Sequence, residues 1–259
     1  MRHFYFTVLL TILTITAVSC GAPNPLEKDN TSREILVYSA MAVSDAVADI
    51  TDLYNQTSGC RAVVLYGGSS HLKYAVEATH LGDVFIPGIG LHNDQLSDKK
   101  IILRVEKIGY YTPVLYVRKN NPLRITGDLS ALTDPTIRVG LGSPVSSGIG
   151  LVTADLLKKE GVYDEVMHNA VVLASDSRQL MNELTEGRVD VVIGWAHSGS
   201  EDYFSRDIAA IALNTEVKGV PMSIGLLKYT KNRECSEKFI EMAVSEQGKA
   251  VFNKYSDIE

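Results

Sequence analysis

The chain is short of cysteine, of clustered positive charge and, beyond Cys20, of long apolar runs. Three cysteines occur in 259 residues, and 25 Lys and Arg stand against 31 Asp and Glu, for a net charge of −6. The acidic balance, with no long basic run, argues against a nucleic-acid partner. Any anion bound here must be held by local geometry rather than by general attraction. Neither Cys60 nor Cys235 has a second Cys or a His at ligand spacing, so neither marks a metal site, and no cofactor is expected. No stretch after Cys20 is long and apolar enough to cross a bilayer. No fixed-period repeat, no low-complexity segment and no GxSxG elbow occurs.

What is present begins with an export signal. Arg2 and His3 lead into FYFTVLLTILTITAVSC, a basic start followed by a short apolar core and small residues. Residues 1–19 read as a signal peptide rather than a spanning helix. The ending AVSC resembles the lipobox of bacterial lipoproteins, with Ala17 where Leu is usual. That resemblance makes Cys20 the lipidated N-terminus of the mature chain and predicts attachment to a membrane through lipid, facing the periplasm or cell exterior. Ordinary signal cleavage nearby is the alternative. Residues 20–33 lack apolar periodicity and read as a tether. In an exported protein Cys60 and Cys235 are candidates for a disulfide, two separate buried thiols being the alternative.

From residue 34 the composition is that of a globular domain, and the pattern alternates strand and helix. EILVYSA, RAVVLY and DVFIPG are short apolar strands. Val43, Ala46, Val47, Ile50, Leu53 and Tyr54 fall on one helical face, and Leu72, Ala75, Val76 and Thr79 on another. TPVLYVRKN, TIRVGLGS, NAVVLAS and DVVIGW repeat the strand pattern, with helices ending at Gly161 and running from about Asp176 to Glu186. GVPMSIGLLKY leads into two closing helices, the second capped by Ser245. Near-continuous apolar strands alternating with amphipathic helices predict an α/β fold with mostly parallel sheets flanked by helices.

Three strand-to-helix junctions carry the same chemistry. YSAMAVSDAV holds Ser39 and Ser44. VLYGGSSHL holds Gly68, Ser69 and Ser70. GLGSPVSSGIGL holds Ser143, Ser146, Ser147, Gly148 and Gly150. A helix start offers unpaired N–H groups and partial positive charge, glycine lets a ligand approach the backbone, and serine adds an uncharged donor. Each alone reads as an ordinary capped turn. Three together, at the carboxyl ends of strands, predict an anion cradle.

The ordered set of segments resembles the substrate-binding proteins of molybdate ABC transporters. VYSAMAVSDAVADI resembles that family's opening strand and helix, YGGSSHL its serine loop and GDVFIPG the strand that follows. LGSPVSSGIGLVTADLLKKEGVYDEV resembles its third loop and helix, and SDSRQLMNELTEGRVDVVIGW the segment ending at its last ligand contact. VPMSIGLLKY and the residues after it resemble its C-terminal tail. The resemblance implies a two-lobed type II periplasmic-binding fold with two crossover strands, lobe 1 from 34–113 plus 221–259 and lobe 2 from 114–220. It implies capture of molybdate or tungstate between the lobes by a monomer, for delivery to an ABC permease, without catalysis.

Carried over by position, Ser69 would donate from its side chain, Ile149 and Ser177 from their backbone N–H. Ala42 stands where the family has a serine and Trp195 where it has a tyrosine; Trp195 offers an indole donor only. Ser39 or Ser44 would compensate for Ala42. Gly68, Ser70, Ser147 and Gly150 complete the expected site. His71, His197 and Arg178 read as surface residues, with a role at the ligand as the alternative. The departures at Ala42 and Trp195 leave open a larger organic phosphate or carboxylate as ligand. A surface hydrolase using a serine and His71 is a remoter reading, because no acid is evident to orient the imidazole. A lipoprotein that senses or adheres without a permease is a third.

Overall fold

Parallel pairing of apolar strands organises the first lobe. The computed structural model describes residues 33–197, 204, 206–216 and 219–255. The expected signal peptide, Cys20 and the tether through residue 32 lie outside the described residues. Strand β1 (Glu34–Ala40) is flanked by β2 (Arg61–Gly67) and β3 (Val84–Ile86), both parallel to it. With neighbours on both sides and helices on both faces, β1 has no polar side. Ile35 and Val37 pack into one apolar cluster with Ala46, Val47, Ile50 and Tyr54 of helix α1 (Ser44–Thr57). The alternate residue Tyr38 packs into a second, with Leu72 and Val76 of α2 (Ser69–Thr79) and Leu96 of α3 (Gly90–Asp98). The period of two along the strand thus becomes two separate helix layers.

Strand β4 (Ile102–Tyr111) leaves this sheet, and after the single residue Thr112 the chain enters β5 (Pro113–Arg118) of a second one. Sheet two collects β6 (Val139–Gly142), β7 (Ala170–Ala174), β8 (Val191–Trp195) and β9 (Ile208–Ala212) in the order β7-β6-β8-β5-β9. Helices α4 (Gly148–Lys159), α5 (Tyr163–Asn169) and α6 (Ser177–Thr185) lie in the same stretch of chain. The chain returns through β10 (Val220–Leu227), completing the first sheet in the order β2-β1-β3-β10-β4. Each sheet is mixed. Three strands run parallel, and β10 with β4, or β5 with β9, closes the remaining half by antiparallel pairing. The architecture is therefore the expected two-lobed α/β fold with two crossings.

Four elements fall outside the expected pattern: α3, β4, α5 and β9. β4 lies at a sheet edge and alternates exposed and half-buried residues along most of its length. Its charged residues break the apolar run by which the interior strands are found. Gly161, expected to stop a helix, has φ +73° just past α4. Ser245 caps α8 (Glu246–Phe252) by accepting from the Gly248 N–H at 3.1 Å.

The C-terminal segment is fastened to lobe 1 in three ways. β10 supplies interior strand pairing. The buried carboxylate of Asp83 accepts from the Leu36 N–H at 2.7 Å, the Thr230 hydroxyl at 2.6 Å and the Lys231 N–H at 3.1 Å. Cys60, just before β2, forms a disulfide with Cys235 in the first turn of α7 (Arg233–Val244), across 175 residues and a Cα separation of 6.0 Å. Replacing both cysteines by serine is expected to cost about 2–4 kcal/mol of stability by releasing this long loop in the unfolded chain. Denaturant unfolding of the double variant against the oxidised parent measures it, and equal midpoints would remove the disulfide from the stabilising contacts.

In lobe 2 the carboxylate of Asp190 is held by Arg138, whose Nε and Nη2 donate at 3.0 and 2.8 Å and whose backbone N–H donates at 3.0 Å. These bonds clasp the chain ahead of β6 to the chain ahead of β8. The side-chain hydrogen bond from Arg138 lowers the Asp190 pKa below its ordinary value of 3.8. A carboxyl lowered in the folded state stabilises above its unfolded pKa and loses that contribution as pH falls through the folded one. Asp190→Asn is therefore expected to lower Tm by about 2–4 °C at pH 7, given the partial exposure of the pair. The gap should shrink below about pH 4. Thermal melts of both proteins across that range check the sign.

Candidate functional site

Helix starts from both lobes converge on one small cleft. β1 runs into the 3-10 turn Met41–Val43 ahead of α1, β2 into α2, and β3 through Gly88 and Ile89 into α3. From lobe 2, β6 runs through Ser147 into α4 and β7 through Asp176 into α6. Residues of all five junctions line a cleft of about 260 Å³, open solvent at its mouth included. Trp195, at the end of β8, completes the lining.

The chemistry of the lining follows from the capping. Ser147 caps α4: its hydroxyl accepts from the Gly150 N–H at 3.0 Å and donates to the Ser143 carbonyl at 3.2 Å. Asp176 caps α6, accepting from the Gln179 N–H at 2.9 Å on one oxygen; the Ser175 hydroxyl, with its single proton, lies 3.1 Å from the other and 3.0 Å from Gln179 Oε1. These caps serve the third N–H of each helix. The earlier ones, of Ser69, Ile149 and Ser177, have no acceptor within their own helices. The lining contains no Lys, Arg or His. Its one carboxylate is that of Asp176, with one oxygen on the Gln179 N–H. The site is thus rich in backbone donors and in helix-dipole positive potential, with no net cationic side chain.

Two glycines permit this geometry. Gly88 has φ +73°, a conformation that side-chain-bearing residues rarely adopt. Gly68 lies against the other lobe: a Cβ there would stand 2.5 Å from the Ser175 carbonyl oxygen and 2.6 Å from that of Ser146. The Ser70 N–H donates across the gap to the same Ser146 oxygen at 3.1 Å. The two lobes are therefore in contact over the cleft.

Of the ten expected site residues, Ala42, Gly68, Ser69, Ser147, Ile149, Ser177 and Trp195 line the cleft. The other three stand behind it. Ser39 is fully buried in β1, with its hydroxyl on the Ala40 carbonyl at 3.3 Å. The Ser70 side chain turns inward to His92 Nε2 at 3.2 Å. The Gly150 N–H is taken by Ser147. The Ser69 hydroxyl donates to the Pro87 carbonyl at 2.5 Å, so donation to a ligand requires it to rotate. Ser44 pairs with Asp45, outside the lining. His71 is exposed, and the buried histidine next to the serine pair is His92. Burial lowers the His92 pKa and favours its neutral ring.

Trp195 is both core and lining. It is 1% exposed and stacks on Tyr111 of lobe 1, with ring centroids 5.2 Å apart and planes at 19°. The Tyr111 hydroxyl donates to the Ala42 carbonyl at 2.6 Å, and burial pushes its pKa well above the phenol range. The floor of the cleft is therefore tied to the crossing between the lobes. Seven lining residues stand outside that expected set: Gly88, Ile89, Ala40, Met41, Gly67, Gly148 and Asp176. The first two sit in PGIG at the end of a recognised strand, and the signal was available once α3 is seen to start there. Asp176 carried no signal of its own beyond that of a helix cap.

A larger groove beside Ile89, about 1680 Å³ with its open solvent, mixes apolar Leu91, Leu151 and Val152 with acidic Asp94, Asp155 and Glu216. Its acidic rim is the wrong sign for an anion.

The comparisons with known proteins agree with this arrangement. The family model of the bacterial extracellular solute-binding proteins matches residues 35–255. A curated protein of Haemophilus influenzae, whose name says no more than binding protein, is 26% identical over 225 residues, covering 85% of this chain and 88% of that one. The periplasmic molybdate-binding protein of Azotobacter vinelandii superposes with a TM-score of 0.73 at 13% identity, over 87% of this chain and 99% of that one. The periplasmic binding protein AfuA of Actinobacillus pleuropneumoniae, solved with exogenous fructose-6-phosphate bound, superposes with a TM-score of 0.76 at 15% identity, over 86% and 82%. Likeness at such identities establishes the fold. The family match spans nearly every described residue, both lobes and the cleft between them, and with it the chain belongs to the bacterial extracellular solute-binding proteins, which bind and do not catalyse.

Proposed function

We propose that the chain captures a small tetrahedral oxyanion, molybdate or tungstate, between its lobes and presents it to an ABC permease. The observation that carries this reading is the cleft itself: five strand-to-helix junctions from both lobes meeting in a small volume, with no cationic side chain in the lining. A handful of hydrogen bonds to a charged group, each worth about 1.5–3 kcal/mol net, supports binding in the micromolar to nanomolar range. Most of the polar groups in the lining are hydrogen-bond donors, which suits a fully deprotonated anion, and the Asp176 carboxylate is its one charged acceptor. Ser69 and the N–H groups of Ile149 and Ser177 are the donors assigned to the ligand, with Trp195 Nε1 in place of a phenol. Among the described residues no group of three or more His, Cys, Asp or Glu could hold a metal, which speaks against a bare cation as cargo.

Larger ligands remain the competing reading within the family. AfuA was solved with a sugar phosphate, and Ala42 leaves more room than a serine. Titration calorimetry with molybdate, tungstate, sulfate and phosphate separates the two. The first two are expected to bind with a Kd below about 1 µM and sulfate at least about tenfold more weakly. Trp195 is the chain's only tryptophan, so its emission should change in the same titration. Silence toward all four anions would overturn the oxyanion reading and favour organic phosphates or carboxylates.

We further propose that Cys20 carries lipid and holds the protein at the membrane surface. Cys20→Ser is expected to move the protein from the membrane to the soluble fraction, and mass spectrometry of the parent should find an acylated N-terminal cysteine. An unmodified terminus would return the segment to ordinary signal cleavage.

A further inference from the structure

Arg178 is the second residue of α6, where the helix dipole disfavours a cation. What offsets this lies in the other lobe. Its Nη2 donates to Asp45 Oδ1 and to Ser44 Oγ, each at 3.3 Å, and both belong to the first turn of α1. Asp45 is well placed there, because a helix start favours an acid. None of the three lines the cleft, although Ala42 and Ser177, their near neighbours in the chain, do. The bridge therefore joins the two lobes without contributing to the lining of the cleft. It is joined by the backbone bond from Ser70 to Ser146 and by the close fit of Gly68 against the Ser146 and Ser175 carbonyls. All of these contacts are made by the protein alone.

We propose that Arg178 and Asp45, with Ser44, form a latch that holds the two lobes together independently of the ligand and thereby sets how tightly the ligand is retained. The proposal rests on the reading that the cleft encloses a ligand. A protein whose closed form is already favoured loses less free energy on binding, so its ligand dissociates more slowly. Both partners are about 40% exposed, 40% for Arg178 and 38% for Asp45, so the latch is a weak one and sensitive to salt. Arg178 is in this assignment a positioning residue, because its guanidinium is paired with Asp45 and Ser44 of the other lobe and it does not line the cleft.

The test has two readouts. Hydrogen exchange at the Ser70 amide of the ligand-free chain reports whether the lobes are apart, because its acceptor belongs to lobe 2. Arg178→Ala is expected to speed that exchange and to weaken molybdate binding, each by about two- to fivefold at low salt and less at high salt. Asp45→Ala should do the same, and the double variant should lose no more than either single one. Unchanged exchange in Arg178→Ala, or additive effects in the double variant, would overturn the latch. If the parent binds no molybdate, the oxyanion reading fails, while the exchange measurements still decide the latch.

Discussion

A helix start leaves N–H groups that its own backbone cannot satisfy, and the rest of this structure is arranged around where those groups point. Five such starts share one cleft. Serine and aspartate side chains satisfy one N–H on α4 and one on α6, and the earlier ones stay available. The sheets serve this arrangement. Parallel strands deliver their carboxyl ends to a common edge, and each short loop after them must begin a helix there. An anion can then be held by a protein of net negative charge, because the donors act at contact distance and the overall charge does not.

The second constraint is proximity between the lobes. Backbone donors discriminate by size only if the walls cannot move apart freely. Gly68 permits an approach that any side chain would prevent, and Trp195 stacked on Tyr111 links the floor of the cleft to the single-residue passage at Thr112. Tyr111 in turn holds the Ala42 carbonyl, so the loop that departs from the expected serine is fixed from below. Ala42 and Trp195 thus belong to one connected piece of the floor, joined through Tyr111.

Much of the fold was legible because burial writes a pattern. β1, β2, β3, β5, β6 and β8 are apolar runs, α1, α2, α4 and α6 repeat at helical spacing, and Gly161 and Ser245 mark a stop and a start. β4 escaped because an edge strand alternates with charge, and α3 because its short amphipathic face is weak. Within the site, Gly68, Ser69, Ser147, Ile149 and Ser177 could be named from their junctions and from resemblance. Ser39, Ser70 and Gly150 share the same junctions yet stand behind the lining. A one-residue step along a strand or a helix start turns a side chain from the cleft to the core, and composition does not record that turn.

The amino-acid order by itself determined the alternation of strand and helix and the serine- and glycine-rich loops, because these depend on local spacing and on the preferences of single residues. Only the tertiary structure decided that Cys60 meets Cys235, that Asp176 shares a cleft with Gly88 and Ile89, that Trp195 is floor and core at once, and that Arg178 faces Asp45. Each of these joins residues far apart in the chain, and their meeting is set by how two sheets pack and close on one another rather than by any neighbour in sequence.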